Sequence, residues 1–162
     1  MHTRPAPVVT SSAPAKPQPT GPDYLLVDGY NVIFAWDELR KMAETNLDAA
    51  RRRLMDILCN YAGYRKCVPI LVFDAYRVKG AGREQETWHN LHVIYTREAE
   101  TADMFIERAT HELAKNHRVR VVSSDGAEQI IILGNGALRV SARAFEREVR
   151  AVEAEIREFL DQ

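Results

Sequence analysis

Apolar residues along this chain fall into short runs separated by stretches with helical spacing. Tyr24-Leu25-Leu26-Val27 is a compact run ending in Asp28-Gly29, which reads as a buried strand feeding a turn. Ala50, Leu54, Ile57, Leu58 and Tyr61 then recur every three or four residues, as on an amphipathic helix, and Pro69 to Phe73 is a second apolar run stopped by Asp74. His92 to Tyr95 predicts a third strand, Ala102 to Leu113 a second amphipathic helix, and Val119 to Val122 a fourth strand ending at Ser123-Ser124-Asp125. A short helix through Gln129 to Leu133, an edge strand at Leu138 to Val140, and a closing helix with Phe145, Val149, Val152, Ile156 and Phe159 along one face complete the pattern. Strands alternating with helices imply right-handed crossovers and a sheet covered on both faces. The expected fold class is therefore α/β: three layers, with a central, mostly parallel sheet of four or five strands.

Residues 1–22 stand apart from this pattern. They carry six of the seven prolines with Ala, Thr and Ser between them, the composition of a linker or disordered tail. The expected organisation is a Pro-rich tail or linker over 1–22, natural or an expression remnant, and one folded domain over 23–162. The tail lacks the continuous apolar core of a secretory signal, and no apolar run approaches the roughly 20 residues of a membrane span. With Cys59 and Cys67 as the only cysteines, neither a structural zinc site nor a disulfide framework is indicated. A cytoplasmic location and no membrane partner follow as expectations. A net charge of −1 gives no global basic footprint, so a polyanion would have to meet a local patch. Two candidates are Arg77, Lys79 and Arg83 in one Gly-containing loop, and Arg139, Arg143, Arg147 and Arg150 near the last helix, although charge runs are equally often plain solvated surface.

The acids carry more information. Asp28, Asp74 and Asp125 each fall at or just beyond the carboxyl end of a predicted strand, the edge where open α/β sheets hold their ligands. Taken singly, each fits a turn or cap, and Glu128 completes a capping-box pattern with Asp125. As a set, convergence on one rim explains them better. Glu100, Asp103 and Glu107 share one face of the second amphipathic helix, opposite Ala102, Phe105, Ile106, Ala109 and Leu113, and Asp103 lies in the first turn, nearest that rim. A solvated acidic face is the plain alternative, strongest for Glu107. Like charges in one crevice call for a cation or for protonation. Oxygen-only donors favour Mg2+ or Mn2+ over zinc, and such ions activate water and stabilise phosphoryl oxygens, so phosphodiester hydrolysis is the indicated chemistry. His89, His92, His111 and His117 read as surface or helix-end residues.

Leu26-Val27-Asp28-Gly29-Tyr30-Asn31 closely resembles the opening motif of NYN domains, specifically the YacP-like branch of PIN-like ribonucleases. Phe73-Asp74-Ala75 with Val78-Lys79-Gly80, Glu100-Thr101-Ala102-Asp103, Ser124-Asp125 with Glu128-Gln129, and Gly136-Ala137-Leu138-Arg139 with Ser141-Ala142-Arg143 follow in family order, so the resemblance covers about residues 24 to 161. It implies a PIN-like fold, divalent-metal-dependent endonucleolytic cleavage of single-stranded RNA, and a link to messenger RNA turnover on the ribosome. Asp28, Asp103 and Asp125 correspond to the acidic metal-site positions, Asn31 to the polar residue beside the first acid, and Asp74 to a second-strand acid; Glu100 joins the candidate metal ligands. Arg77, Lys79, Arg83, Arg139 and Arg143 are the expected RNA-binding rim. The Pro-rich tail precedes a strand that in the family begins almost at the N-terminus, which suggests a tether to another domain.

Other classes fit less well. Asp28-Gly29-Tyr30-Asn31 offers neither a dinucleotide fingerprint nor a P-loop. An aspartyl-phosphate enzyme would be expected to carry a second acid two residues after the first, where this chain has Tyr30. A catalytically silent RNA- or ribosome-binding module of the same fold is the alternative to an enzyme, and the complete acid set argues against it.

Overall fold

The computed structural model describes residues 21–74, 85–124 and 137–162, together with the backbone of 131–132. The elements run β1 (Tyr24–Asp28), α1 (Gly29–Ala35), α2 (Asp37–Thr45), α3 (Leu47–Arg65), β2 (Val68–Phe73), β3 (Gln85–Trp88), β4 (Leu91–Tyr95), α4 (Ala102–Leu113), β5 (Val119–Ser123), β6 (Ile131–Ile132), β7 (Leu138–Ser141) and α5 (Ala142–Leu160). They form one sheet in the order β3-β4-β2-β1-β5-β7-β6. Its five inner strands are parallel, as expected, while β3 and β6 add antiparallel edges. The helix predicted through Gln129 to Leu133 is corrected in part, because Ile131 and Ile132 pair with Arg139 and Leu138 of β7 as a strand. The turn expected at Asp28-Gly29 is likewise the direct start of α1.

Period two sorts each inner strand between the faces. Leu25, Val27, Leu71, Phe73 and Val122 join one core with α1, α2, α3 and α5, where Trp36, Leu54, Leu58 and Phe145 are fully buried. Leu26, Val72, Val119 and Val121 face the other way, onto Ala102 and Ile106 of α4. The same alternation carries Asp28, two residues after Leu26, and Ser123, two after Val121, to the α4 side at the carboxyl edge. Arg139 lies opposite Val121 in the β5–β7 register and shares that face.

The long helices have identifiable starts. Asn46 caps α3 by accepting from the Ala49 amide at 3.0 Å, Thr101 caps α4 by accepting from the Met104 amide at 3.1 Å, and Ser141 caps α5 by accepting from the Ala144 amide at 3.1 Å. Trp36, in the break between α1 and α2, donates its indole N–H to the Ala142 carbonyl at 2.8 Å, tying the first helices to the last. After β4 the chain crosses β2 and β1 through α4 to begin β5, so β1 sits where the winding reverses. That reversal opens a crevice at the carboxyl ends of β1 and β5.

Candidate active site

Asp28 ends β1 at this crevice and is only 5% exposed. Gly29 must follow it without a side chain, since a Cβ there would stand 2.3 Å from the Phe73 ring. This close approach lets α1 begin directly behind Asp28, and the first turn brings the Asn31 amide back to donate to Asp28 Oδ2 at 2.6 Å. Burial pushes the Asp28 carboxyl up to about 6, the charges of Asp103 and Asp74 push the same way, and the Asn31 hydrogen bond only partly offsets them. Among the described residues Asp28 makes no ion pair with a cation. The fold therefore holds an acid in a place that opposes its ionisation.

Asp74 continues β2 by one residue. Its Oδ1 accepts from the Ala102 amide at 2.6 Å, so with Thr101 it satisfies two of the orphan amides that open α4. This fixes the first turn of α4 against the sheet edge and thereby sets where Asp103 stands. Asp103 is exposed and lines a cleft of about 870 Å³ running between α4 and the β5–β7 edge, together with Glu107, His111, Ser123 and Arg139. Arg139 reaches that wall through its Nε, which donates to Ser123 Oγ at 2.6 Å.

The structure thus brings Asp28, Asn31, Asp74 and Asp103 to one rim, with Arg139 along the adjoining cleft. Glu100 is turned elsewhere: Arg108 donates to both of its carboxylate oxygens, at 2.8 and 3.2 Å. Arg143 is exposed in the first turn of α5. Asp125, Arg77, Lys79 and Arg83 lie outside the described residues, as does the tail over 1–20. Cys59 and Cys67 are half-buried, and burial raises both thiols. No group of three or more His, Cys, Asp or Glu among the described residues stands close enough to hold a metal ion. Asp103 and Asp74 nevertheless lie near enough to Asp28 for their charges to add to the effect of burial on its carboxyl, and all three offer hard oxygen donors, the type that divalent cations such as Mg2+ take.

Two site features lie beyond the sequence reading. One is Asp74 as the cap of α4, legible only once β2 and α4 are neighbours. The other is the support behind α1: Arg51 of α3, with its side chain 14% exposed, donates to the Tyr30 hydroxyl at 3.2 Å and to Asp48 at 3.0 Å. No helix among the described residues is long and apolar enough to cross a membrane.

Comparison with known proteins agrees with this architecture. The YacP-like NYN domain matches residues 25–162. The chain is 43% identical over 135 residues to the uncharacterized protein YacP of Bacillus subtilis, covering 83% of this chain and 79% of that one. The crystal structure of Rae1 (YacP) from B. subtilis superposes with a TM-score of 0.72 at 41% identity, covering 86% of this chain and 80% of that one. The W164L mutant of the same protein gives 0.69 at 39% identity, with 84% and 79% covered.

Proposed function

The chain belongs to the YacP-like NYN domain family, whose fold is nuclease-like, and from that premise we propose that it is a divalent-metal-dependent endoribonuclease cutting single-stranded RNA. The observation that carries the reading is the convergence of Asp28, Asp74 and Asp103 on one edge, where Asp28 is buried without a cationic partner among the described residues. A buried carboxylate with acids for neighbours is unfavourable unless something positive joins it, and a metal ion held between Asp28 and Asp103 is the direct remedy.

In this reading Asp28 and Asp103 hold Mg2+ or Mn2+, with Asp125 as the third acid by its place in the family motif. Such an ion, when bound, lowers the pKa of a water and offsets charge on the phosphoryl oxygens. Asn31, which donates to Asp28 Oδ2, would fix the orientation of that carboxylate. Asp74 acts one step back, by anchoring the turn that carries Asp103. Arg139 and Arg143, together with Arg77, Lys79 and Arg83 by their place in the sequence, are the proposed RNA-binding cations, attracting the phosphate backbone while the acids keep the centre. Messenger RNA engaged by the ribosome is the proposed setting, in the cytoplasm, with the N-terminal segment as a tether.

The test is cleavage of an end-labelled single-stranded RNA by the full chain with and without Mg2+ or Mn2+. Internal cuts that require the metal are expected, and Asp103→Asn should abolish them while RNA binding persists. Binding without any cleavage across both metals would instead support a silent RNA-binding module.

A further inference from the structure

We propose that the cleft between α4 and the β5–β7 edge is a guanine subsite, taking a base beside the phosphate that Asp103 addresses, with Glu107 and Arg139 reading its edges. The inference deepens the reading above and rests on it for RNA as the ligand. At about 870 Å³ the cleft has the size of a ligand site. Ile106 and Val121, buried where α4 meets the sheet, form its apolar base, and Met104, 54% exposed, lines it next to Asp103.

The polar groups of this lining are unspent. Neighbouring charges on α4 are paired, Arg108 with Glu100 and Glu112 with Lys115. Glu107 lies one turn after Asp103, about 6 Å along the helix axis, and has no hydrogen-bond or ion-pair partner among the described residues. Arg139 is held through its Nε by Ser123 Oγ at 2.6 Å, and its two terminal nitrogens likewise have no partner among the described residues. The third group is Thr110, wholly buried, whose hydroxyl makes no hydrogen bond. Buried polar atoms are nearly always satisfied, so an orphan hydroxyl in the lining marks a cleft that lacks a polar occupant.

An acid on one wall and an open arginine fork on the other select among bases. Guanine carries two adjacent donors, N1–H and the N2 amino group, which match the two oxygens of a carboxylate, and two adjacent acceptors, O6 and N7, which match an arginine fork. Adenine turns an acceptor, N1, toward the acid, and neither pyrimidine offers the pair of donors. In single-stranded RNA these edges are free to be read. The Met104 thioether is suited to pack on the face of the same ring. Arg139 then serves a base edge and Glu107 faces donors, so neither acid of α4 has to meet the phosphate without the metal.

The experiment uses the full chain and labelled oligouridylates carrying one guanine, adenine, cytosine or inosine at a central position. Binding is followed by fluorescence anisotropy without divalent metal, and cleavage by single-turnover kinetics with Mn2+ or Mg2+. Wild-type protein should bind the guanine strand about tenfold or more tighter than the adenine and cytosine strands, with inosine, which lacks the N2 amino group, in between, and should cut at a fixed distance from the guanine. Glu107→Gln should lose most of the guanine-over-adenine preference, and Arg139→Lys, which keeps the charge without the fork, should lose it as well. Equal binding and cutting of all four strands by wild type, or a preference that survives Glu107→Gln, would overturn the subsite while metal-dependent cuts leave the nuclease reading in place. Guanine-selective binding without any cut in either metal would overturn the nuclease reading alone. No binding of any strand would overturn both.

Discussion

At the amino edge of the sheet, Arg120 of β5 donates to both carboxylate oxygens of Glu148 at 3.0 Å, and the Tyr61 hydroxyl donates to the same acid. Burial alone would raise the Glu148 carboxyl, but the Arg120 and Tyr61 hydrogen bonds prevail and hold it below the usual glutamate value. At the carboxyl edge Asp28 is buried more deeply and meets Asp103 and Asp74, with no cationic partner among the described residues, and burial first and these charges second raise its carboxyl to about 6. The two acids differ in what surrounds them and not in kind. Where an acid only has to hold α5 to the sheet, the fold supplies its counter-charge; where the family's chemistry is expected, none stands against Asp28 among the described residues. The missing charge is what an arriving cation would provide.

Removing the charge at each edge should therefore move stability in opposite directions. Asp28→Asn keeps the shape and the possibility of a hydrogen bond to Asn31 but relieves the cost of a buried charge, so the metal-free protein should gain stability at pH 7, on the order of 1–3 kcal/mol. Urea unfolding in the presence of a chelator measures it, and a loss of similar size would break the comparison. Glu148→Ala strands the partly buried Arg120 guanidinium and should cost about 2 kcal/mol, between the values for fully buried and exposed pairs.

Asp74→Ala is a smaller and more local change. It frees the Ala102 amide and should cost about 1 kcal/mol, as lost helix caps do. Its effect on cleavage should exceed its effect on stability, because Asp103 rides on the turn it anchors. Equal loss on both scales would reduce Asp74 to an ordinary cap.

The smallest effect is in the pH dependence. Glu148 has a folded pKa below its ordinary value of 4.5, so its contribution is complete above that value and fades as pH falls through the lower folded pKa. Thermal unfolding from pH 7 down to 3 should consequently fall less steeply in Glu148→Gln than in wild type. Parallel curves would remove Glu148 as a source of acid sensitivity.

Much of the carboxyl edge is legible in the amino-acid sequence. The apolar runs ending at Asp28, Asp74 and Ser123 locate three inner strands, and the opposed faces of Ala102 to Leu113 locate α4 with Asp103 in its first turn. Other parts depend on partners distant in sequence. The helical spacing of Val32, Ile33, Trp36 and Leu39 is split over two short helices, below the length at which helices hold without tertiary packing, so the pattern does not announce α1 and α2. The polar run Gln85–Trp88 becomes β3 only through its pairing with β4. Glu100 sits beside Asp103 in the motif, yet Arg108 two turns along the helix claims it. The Asp74 cap and the Arg120–Glu148 pair join residues 28 apart in sequence, a separation that spacing rules do not reach.

The central proposal is that Asp28 and Asp103 hold a divalent cation, and metal-linked stability tests it most directly. Thermal unfolding of the wild-type chain, Asp28→Asn and Glu148→Gln should be compared with and without Mn2+. Binding to the folded state alone stabilises by about 2.7 kcal/mol at a hundredfold excess over Kd. Wild type and Glu148→Gln should both rise with Mn2+, and Asp28→Asn should not. An equal rise in all three proteins, or none in the wild type, would contradict the account.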